Sequence, residues 1–485
     1  MVFSSNIFLF AFLPFVVFCY FLFPTKFIKA KNFLLLIASL FFYAWGEFVY
    51  LGLLLLSIFG NYIFGIWICI GDAVGISRGD SRIVHVRVTK LFLALAFNLV
   101  LLLYFKYASF IAQNFSAISG VEINKNLLPH HLPIGISFFT FHAISYLVDI
   151  YRGKCKAQRN FLALALYISF FPQLVAGPIV RYNFIEKYLT KRRQNWFFVS
   201  YGVRRFIIGI GKKVIIANPL GEVADAIFAA QITDITMPIA WVGIVCYMLQ
   251  IYFDFSGYSD MAIGLARIFG FKFPENFNYP YIAKSIKEFW RRWHMSLSAW
   301  FRDYVYIPLG GNRVAVAHQY FNLVLVFFLC GLWHGASWNF VVWGLFHGFF
   351  LAFERVAFVE KLLKKLPSII QYFYAMFVVL IGWVLFRSLD LTSAINYLKL
   401  MFNFASSDKI IASNILQLTN SHFVWMSFSL AIIGFSPFVR NILLKLMRKN
   451  KIFVMIFDIF LLLVFIFAII RLSAATHNPF IYFQF

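Results

Sequence analysis

The sequence predicts an all-α protein, a polytopic transmembrane bundle of about twelve helical crossings with re-entrant and interfacial helices. Hydrophobic residues make up 62% of the 485 residues and charged residues only 13%, whereas soluble globular chains have about 25% charged residues. Apolar runs of roughly 17–25 residues recur along the chain, and this is the length of a membrane-spanning helix. We therefore expect residues 1–485 to form a single integral-membrane domain.

The charge balance is strongly basic, with 43 Lys and Arg against 19 Asp and Glu and a net charge of +24. In a soluble protein this balance would indicate a nucleic-acid partner. Here the basic residues form short clusters between apolar runs, as they do in membrane proteins whose positive loops stay in the cytoplasm. We therefore expect membrane lipids, and no nucleic acid, as partners.

Seven basic clusters set the predicted topology; they lie at Lys26–Lys31, Arg78–Lys90, Arg152–Arg159, Arg181–Lys213, Lys284–Arg313, Arg355–Lys365 and Arg440–Lys451. If all are cytoplasmic, both termini lie outside. The twelve crossings are then predicted at 7–23, 33–46, 48–70, 91–105, 132–150, 199–218, 237–253, 319–341, 344–358, 369–386, 422–437 and 452–470. The first run carries Pro14 and follows no basic residue, so we expect a retained span and not a cleaved signal peptide.

Two apolar stretches do not fit simple crossings. Residues 161–180 have basic clusters at both ends and contain Pro172 and Gly177-Pro178, which favours a re-entrant segment. Broken backbone at membrane depth is tolerated only where protein or a cavity surrounds it. Asp254–Phe271 similarly lies between a predicted span and a basic segment.

Residues 284–302 form the first candidate functional segment. A helix with about 100° per residue would separate an aromatic face from a basic face, the former with Trp290, Trp293, Leu297 and Phe301 and the latter with Lys284, Lys287, Arg291 and Arg302. Such a helix is typical of the membrane interface. His294 falls on the border between the faces. It either reaches from the helix to water or belongs to a buried polar site, which the adjacent Arg291 and Arg292 favour.

His334 is the second candidate, because it lies within Val314–Phe353, a stretch without Asp, Glu, Lys or Arg. An ionisable side chain at membrane depth is rare and indicates a functional site. The flanking Gly331 and Gly335 leave room for a ligand or for a second helix backbone. A neutral histidine hydrogen-bonded across helices is the structural alternative, and for His347 it is the favoured one.

A third segment, Tyr252–Asp260, places two carboxylates among aromatic residues. Asp254 and Asp260 must be paired, solvated or hydrogen-bonded there, because uncompensated charge is costly. Structural pairing is the favoured role, and shaping of a site is the alternative. The five cysteines form no CxxC pair, and the chain has no nucleotide-binding loop or HExxH motif. We therefore expect no disulfide framework, no metal and no nucleotide hydrolysis.

These segments resemble motifs of the membrane-bound O-acyltransferase family; the matching residues are Glu288–His294 with Ser296 and Ser298, Gly331–Gly335, and Tyr252–Tyr258. The stretches 1–6, 132–138 and 480–483 are also similar, so the resemblance runs nearly end to end. The family's essential histidine in its Trp-His-Gly motif corresponds to His334, and its second characteristic histidine to His294.

The resemblance implies a multi-pass enzyme of the bacterial inner membrane. It would take an acetyl group from a cytoplasmic donor, with acetyl-CoA as the expected donor and no bound cofactor, for O-acetylation of an extracytoplasmic polysaccharide. Transfer to a hydroxyl needs a base near neutral pH, and histidine suits this role. We expect a catalytic core at about 132–358, with His334 as general base or transient acyl carrier. His294, with Arg291 and Arg292, would position the donor thioester at the cytoplasmic mouth. The predicted substrate-binding set also includes Asp254, Ser256, Asn276 and Trp333.

Several alternatives remain open at this stage. Within the family the chain could transfer D-alanine to teichoic acid, and outside it a transporter or flippase of envelope precursors is the alternative. Transporters often contain paired internal repeats, and none is evident here. Alginate, peptidoglycan and other glycans would all use the same donor chemistry. An extracytoplasmic SGNH-type transferase, or another polysaccharide-modifying protein, is the expected partner.

The segment His477–Phe485 is predicted to lie at the outer membrane interface, where aromatic residues concentrate. Its Tyr482 is either part of an aromatic anchor or an acyl relay to an external transferase. A similar Phe-Ile-Tyr-Phe segment ends the small partner protein of teichoic acid D-alanylation, and this likeness implies the relay. A phenol has a pKa of about 10, so its ester is a more activated acyl donor than a sugar ester.

Substitution of Tyr482 by Phe separates the two roles, because it keeps the aromatic ring and removes only the hydroxyl. A relay predicts loss of polysaccharide acetylation in cells, while the amount of membrane-inserted protein stays at the wild-type level. Acetylation at the wild-type rate in this variant would leave Tyr482 as an anchor alone.

Overall fold

The computed structural model of the chain describes residues 1–70, 81–129, 131–404 and 413–474, which contain helices and no strand. Seven of these helices are long and apolar enough to cross a membrane, or up to nine if each of two bent helix pairs is one span. The predicted all-α, multi-pass membrane fold is confirmed. The count of twelve crossings and their orientation stay predictions, and Tyr482 lies outside the described residues.

The described chain forms two compact units, one of residues 1–206 and 262–274 and the other of residues 207–261 and 275–485. Two such units can belong to one membrane domain, so the single-domain organisation stays a prediction. The first unit contains the helices Leu13–Leu22, Ile28–Glu47, Leu51–Cys69, Ser81–Ser119, Ile136–Tyr151, Phe161–Ser169, Phe171–Leu174, Tyr182–Thr190 and most of Trp196–Gly211. A cluster of phenylalanine rings lies at its centre, with Phe8, Phe42 and Phe171 in mutual contact.

The predicted re-entrant stretch in this first unit is broken and buried. Its helix stops at Ser169 and resumes at Phe171, and residues 163–180 are buried throughout. The Ser39 hydroxyl accepts the amide N–H of Phe171 at 3.1 Å, so a side chain of another helix satisfies a backbone group at the break. This agrees with the rule that broken backbone is placed where protein surrounds it.

The second unit contains the π-helical turn Lys212–Ala217, the helix Asn218–Ala229 and most of the 32-residue helix Met237–Ile268. After these come Ile286–Arg292, Met295–Phe301, the π-helical turn Arg302–Tyr306, Val316–His334, Trp338–Phe353, Ala357–Lys365, Ser368–Arg387, Leu391–Met401, Ser413–Thr419, His422–Gly434, Pro437–Lys449 and Lys451–Ala474.

The predicted end of a span at residue 253 is wrong, because the helix that begins at Met237 continues to Ile268. Its two carboxylates do not end it, since each pairs with a lysine of the π-helical turn Lys212–Ala217. Lys213 Nζ lies 2.8 Å from Asp254 Oδ1, and Lys212 Nζ lies 2.7 Å from Asp260 Oδ2. Pairing removes most of the cost that an isolated carboxylate would have in this setting.

Lys213 is not an exposed member of its basic cluster, whose cytoplasmic location stays a prediction. Its side chain is 0% exposed and lies in a π-helical turn of the second unit. Gly209 and Gly257 bring the two paired helices together there, because a Cβ atom at Gly209 would lie 2.5 Å from the Gly257 carbonyl oxygen. The lysine and the carboxylate are thus close enough to bond directly.

The predicted continuous helix over residues 284–302 is wrong as well. It is divided into Ile286–Arg292 and Met295–Phe301, and His294 between them has a positive φ of 41°. The connector before the helices causes the division by pairing with the break. The Asn278 amide donates to the Arg292 carbonyl at 2.9 Å, and the Met295 amide donates to the Asn276 carbonyl at 2.9 Å.

The predicted spans 319–341 and 344–358 have a different boundary, since one helix ends at His334 and the next runs from Trp338 to Phe353. The two pack closely at glycines. A Cβ atom at Gly331 would overlap the Phe340 carbonyl oxygen, and one at Gly344 would overlap the Phe327 carbonyl oxygen. The sequence predicts that Gly331 makes room either for a ligand or for a second helix backbone. The structure shows the second, because the helix Trp338–Phe353 approaches closely at Gly331.

Gly344→Ala should lower the stability of the protein, because the added methyl group must displace backbone atoms that are already in contact. We expect a loss of roughly 1–3 kcal/mol, measured by thermal or denaturant unfolding of the purified protein in detergent. Gly52→Ala is the matched control, since it lies in a helix with nothing within 4 Å of the new methyl group. Equal stability of the two variants would refute the close packing.

Candidate active site

His334 is the last residue of the helix Val316–His334 and is buried among aromatic rings. Its ring centroid lies 4.8 Å from that of Trp333, 5.0 Å from that of Trp343 and 5.0 Å from that of Phe386. The negative end of a helix dipole favours a cation nearby. A proton taken up by His334 would therefore be stabilised by its own helix.

A small cavity adjoins His334, and we call it the aromatic cavity; its lining consists of Ile251, Phe255, Trp293, His334, Trp343, Trp383 and Phe386. All seven residues belong to the second unit, and they come from four helices and from the break at residues 293–294. The cavity has room for about one water molecule. His334 is therefore the ionisable group in the lining of a small, mainly aromatic cavity.

His294 is 1% exposed and is oriented by Asn276. Asn276 Oδ1 lies 3.1 Å from His294 Nδ1, 3.2 Å from the amide nitrogen of Ser296 and 2.8 Å from its hydroxyl. A backbone N–H can only donate, so the atom facing it must be the amide oxygen of Asn276. This oxygen accepts from Nδ1, and the lone pair of the imidazole is consequently on Nε2.

Asn276 is itself held in place, because its Nδ2 donates to Ser259 Oγ at 3.1 Å. Among the described residues, His294 Nε2 has no hydrogen-bond partner although it is buried. Burial lowers the pKa of His294 to about 3. The histidine is thus neutral at physiological pH and presents one acceptor nitrogen.

Aromatic side chains connect His294 and His334 through ring contacts. Trp333 contacts both, with centroid distances of 6.2 Å to His294 and 4.8 Å to His334. Phe255 lies 4.7 Å from the ring of His294 and also lines the aromatic cavity beside His334. Of the predicted site residues, the structure therefore brings His294, His334, Trp333 and Asn276 into one contiguous group.

Arg291 and Arg292 do not join this group. Arg291 is exposed, and Arg292 donates to Glu288 Oε1 at 2.9 and 2.8 Å and to the Asn278 carbonyl at 3.0 Å. Neither guanidinium hydrogen-bonds to His294 among the residues that the structure describes. His294 does not reach from an interfacial helix to water, because the break at residues 293–294 turns the imidazole inward; the favoured alternative, a buried polar site, is the one observed.

The remaining predicted residues lie on the helix Met237–Ile268. Asp254 is buried and paired with Lys213, which confirms the structural pairing favoured from the sequence. Ser256 lies two residues further on, and its buried hydroxyl has no hydrogen-bond partner in the described part of the chain. His347 is buried outside the cavity lining and contacts Trp290 and Trp343 at 5.0 and 5.1 Å.

Sequence reasoning missed Lys213 and most of the cavity lining. Lys213 lies in a basic segment of the sequence, and no feature of that segment distinguishes a buried lysine from exposed Lys and Arg residues. The lining residues Trp293, Trp343, Trp383 and Phe386 belong to a chain that is 21% aromatic, so an aromatic residue carries little signal. No group of three or more potential metal ligands occurs among the described residues.

Comparison with known proteins gives consistent matches. The model of the membrane-bound O-acyltransferase family matches residues 137–386. The probable alginate O-acetylase of Azotobacter vinelandii is 39% identical over 516 residues, covering 100% of both chains. The peptidoglycan O-acetyltransferase of Helicobacter pylori is 38% identical over 433 residues, covering 82% of this chain and 79% of that protein.

A third relative is the teichoic acid D-alanyltransferase of Bacillus subtilis, which is 35% identical over 268 residues, covering 50% of this chain and 65% of that protein. Its match is shorter than the two above. The family model includes both histidines, the connector with Asn276 and every residue of the aromatic cavity. With this match and full-length relatives above 30% identity, the chain belongs to the membrane-bound O-acyltransferase family and is an acyltransferase.

Proposed function

We propose that this enzyme transfers an acetyl group from acetyl-CoA on the cytoplasmic side for O-acetylation of an extracytoplasmic polysaccharide. The relatives that match over most of their length act, by their names, on alginate or peptidoglycan with acetyl groups. The alternative, D-alanyl transfer, is supported by a relative that matches only 50% of this chain.

One observation carries the assignment of the reacting centre: His334 is the ionisable residue in the lining of the aromatic cavity. In the proposed step His334 takes the proton of the acceptor hydroxyl while the oxygen attacks the thioester carbon. The carbon–sulfur bond then breaks, and the leaving thiolate takes the proton from His334. No proton is gained or lost overall, so a single histidine is sufficient.

His294 has a different proposed role, which is to orient the donor. Its Nε2 is a buried acceptor without a partner, so it fits an N–H group such as the amides of the pantetheine arm. Arg291 is exposed near it in sequence and supplies positive charge for the donor's phosphates. We retain Ser256 and Trp333 as substrate contacts, and Asn276 and Asp254 as residues that hold the site in shape.

The remaining parts of the proposal concern the cell. The enzyme would lie in the bacterial inner membrane, with lipid around its apolar helices. An extracytoplasmic SGNH-type transferase, or another polysaccharide-modifying protein, would receive the acetyl group or present the glycan. Tyr482 is the proposed relay to such a partner. Support comes from the polymers in the relatives' names, alginate and peptidoglycan.

His334→Ala should abolish acetyl transfer without loss of the protein. A structural hydrogen bond in a membrane bundle contributes about 0.6 kcal/mol, which is too little to prevent folding, whereas loss of a general base costs about 10²–10⁴ in rate. The measurement is acyl-CoA turnover by purified protein together with polysaccharide acetylation in cells.

His318→Ala is the matched control, because His318 lies in the same helix and is exposed. It should retain wild-type turnover. Wild-type acetylation by the His334→Ala protein would remove His334 from the chemistry. Absence of acyl-CoA turnover in the wild-type enzyme, with any short acyl group and a sugar acceptor, would refute the proposed donor.

Asn276→Asp tests the orientation of His294 through the pH dependence of the reaction. A carboxylate beside Nδ1–H favours the imidazolium, so it raises the pKa of His294 from its low value of about 3. Protonation removes the Nε2 lone pair, and activity should therefore fall at a higher pH than in the wild type. Rates between about pH 5 and 8 measure the shift. Asn278→Asp, an exposed neighbour, should leave the profile unchanged, and an unchanged profile for Asn276→Asp would contradict the role of Nε2.

A further inference from the structure

Two cations are buried near each other in the first unit, far along the chain from the histidines. Lys31 is 2% exposed and Arg192 is 7% exposed. The Lys31 ammonium lies 4.5 Å from the centroid of the Tyr20 ring, and the Arg192 guanidinium lies 5.9 Å from the same ring. Their like charges repel each other.

No carboxylate forms an ion pair with either cation among the described residues. Lys31 Nζ donates to Gln194 Oε1 at 2.5 Å, and Arg192 Nη1 donates to the Tyr188 carbonyl at 3.3 Å. The Arg192 guanidinium also stacks 4.4 Å from the centroid of the Phe271 ring. These neutral partners leave two positive charges uncompensated, and burial of unpaired charge is costly.

Buried donors on the loop at residues 191–195 face the Tyr20 hydroxyl, a neutral acceptor that interacts with Arg192 and Gln194. Arg192 Nε and Nη2 and Gln194 Nε2 are buried and lack a well-formed hydrogen bond in the described structure. The nearby Tyr20 hydroxyl donates its own proton to the Phe269 carbonyl at 2.7 Å. Donors that converge with positive charge and without a carboxylate form a site for an anion with several oxygen atoms, and phosphate matches the planar donors of arginine.

The place of the site in the fold indicates where the phosphate comes from. Lys31 lies in the first turn of Ile28–Glu47, a helix with the length and hydropathy of a membrane span. The loop ends at Trp196, which is 74% exposed, and the following Phe197 is 71% exposed. Aromatic residues and lysines at the end of a span mark the level of the lipid headgroups.

Exposed basic side chains lie within five residues of Lys31 or Arg192 in the sequence, namely Lys26, Lys29, Lys191 and Arg193. Basic residues at the headgroup level attract anionic lipids, and basic pockets at helix ends bind their phosphates. We propose that Lys31, Arg192 and Gln194 form a binding site for the phosphate of an anionic phospholipid headgroup. This site is distinct from the aromatic cavity, and it does not depend on the proposed acetyl transfer.

Arg192→Gln tests the site, because it removes the guanidinium and keeps a polar side chain. Arg193→Gln is the matched control, since it changes the charge of the exposed neighbour by the same amount. Native mass spectrometry of the full-length protein in detergent counts bound phosphatidylglycerol during a titration. We expect one tightly bound lipid in the wild type and in Arg193→Gln, and at least about tenfold weaker binding in Arg192→Gln, as for loss of a charged hydrogen bond.

A second variant covers the case in which Arg192→Gln does not fold. Gln194→Met keeps the length of the side chain and removes the donor and the partner of Lys31, so it should also weaken lipid binding. Thermal stabilisation by phosphatidylglycerol should decrease in the same order as binding. Wild-type binding of phosphatidylglycerol by Arg192→Gln, or by a folded Gln194→Met, would overturn the proposal.

Three further probes identify the source of the phosphate. Phosphatidylcholine, inorganic phosphate and coenzyme A are each titrated against bound phosphatidylglycerol. Failure of all three to displace it supports an anionic lipid. Displacement by phosphatidylcholine at equal concentration would overturn the preference for an anionic headgroup. Displacement by inorganic phosphate or coenzyme A would overturn the lipid assignment in favour of a soluble phosphate.

Discussion

Much of this structure follows from one constraint: a polar group inside an apolar helical bundle must find its partner within the protein. The ion pair of Lys213 and Asp254 is the strictest case, since both side chains are almost fully buried, at 0% and 3% exposure. It requires two helices to approach at Gly209 and Gly257, and it allows the helix after Met237 to continue past its carboxylates. On that helix, Phe255 contacts the ring of His294, and Ser259 accepts a hydrogen bond from Asn276.

The same constraint explains the state of His294. Water is excluded, so the imidazole is neutral, and the Asn276 oxygen decides which nitrogen carries the proton. Only the other nitrogen remains for a substrate. In the proposed role of His294, a side chain that accepts but never donates at this point would impose a direction on the donor molecule, as orienting its thioester toward His334 requires.

The first unit satisfies its buried polar groups in a different way. Its broken segment near Phe171 is satisfied by Ser39, a side chain of a neighbouring helix. Its buried cations, Lys31 and Arg192, are held by neutral groups and rings without a carboxylate. A lipid phosphate would complete them, and the membrane itself would then supply part of the polar pairing of the protein.

The sequence by itself determined the class of the protein, because hydrophobic composition and the length of apolar runs depend on the bilayer and not on tertiary contacts. It also singled out His294 and His334, which stand out as rare ionisable residues within family-like motifs. Tertiary structure alone decided the break at residues 293–294, the burial of Lys213 and the pairing of Asn276 with His294. Each of these depends on contacts between segments distant in the chain, and local periodicity contains no information about such contacts.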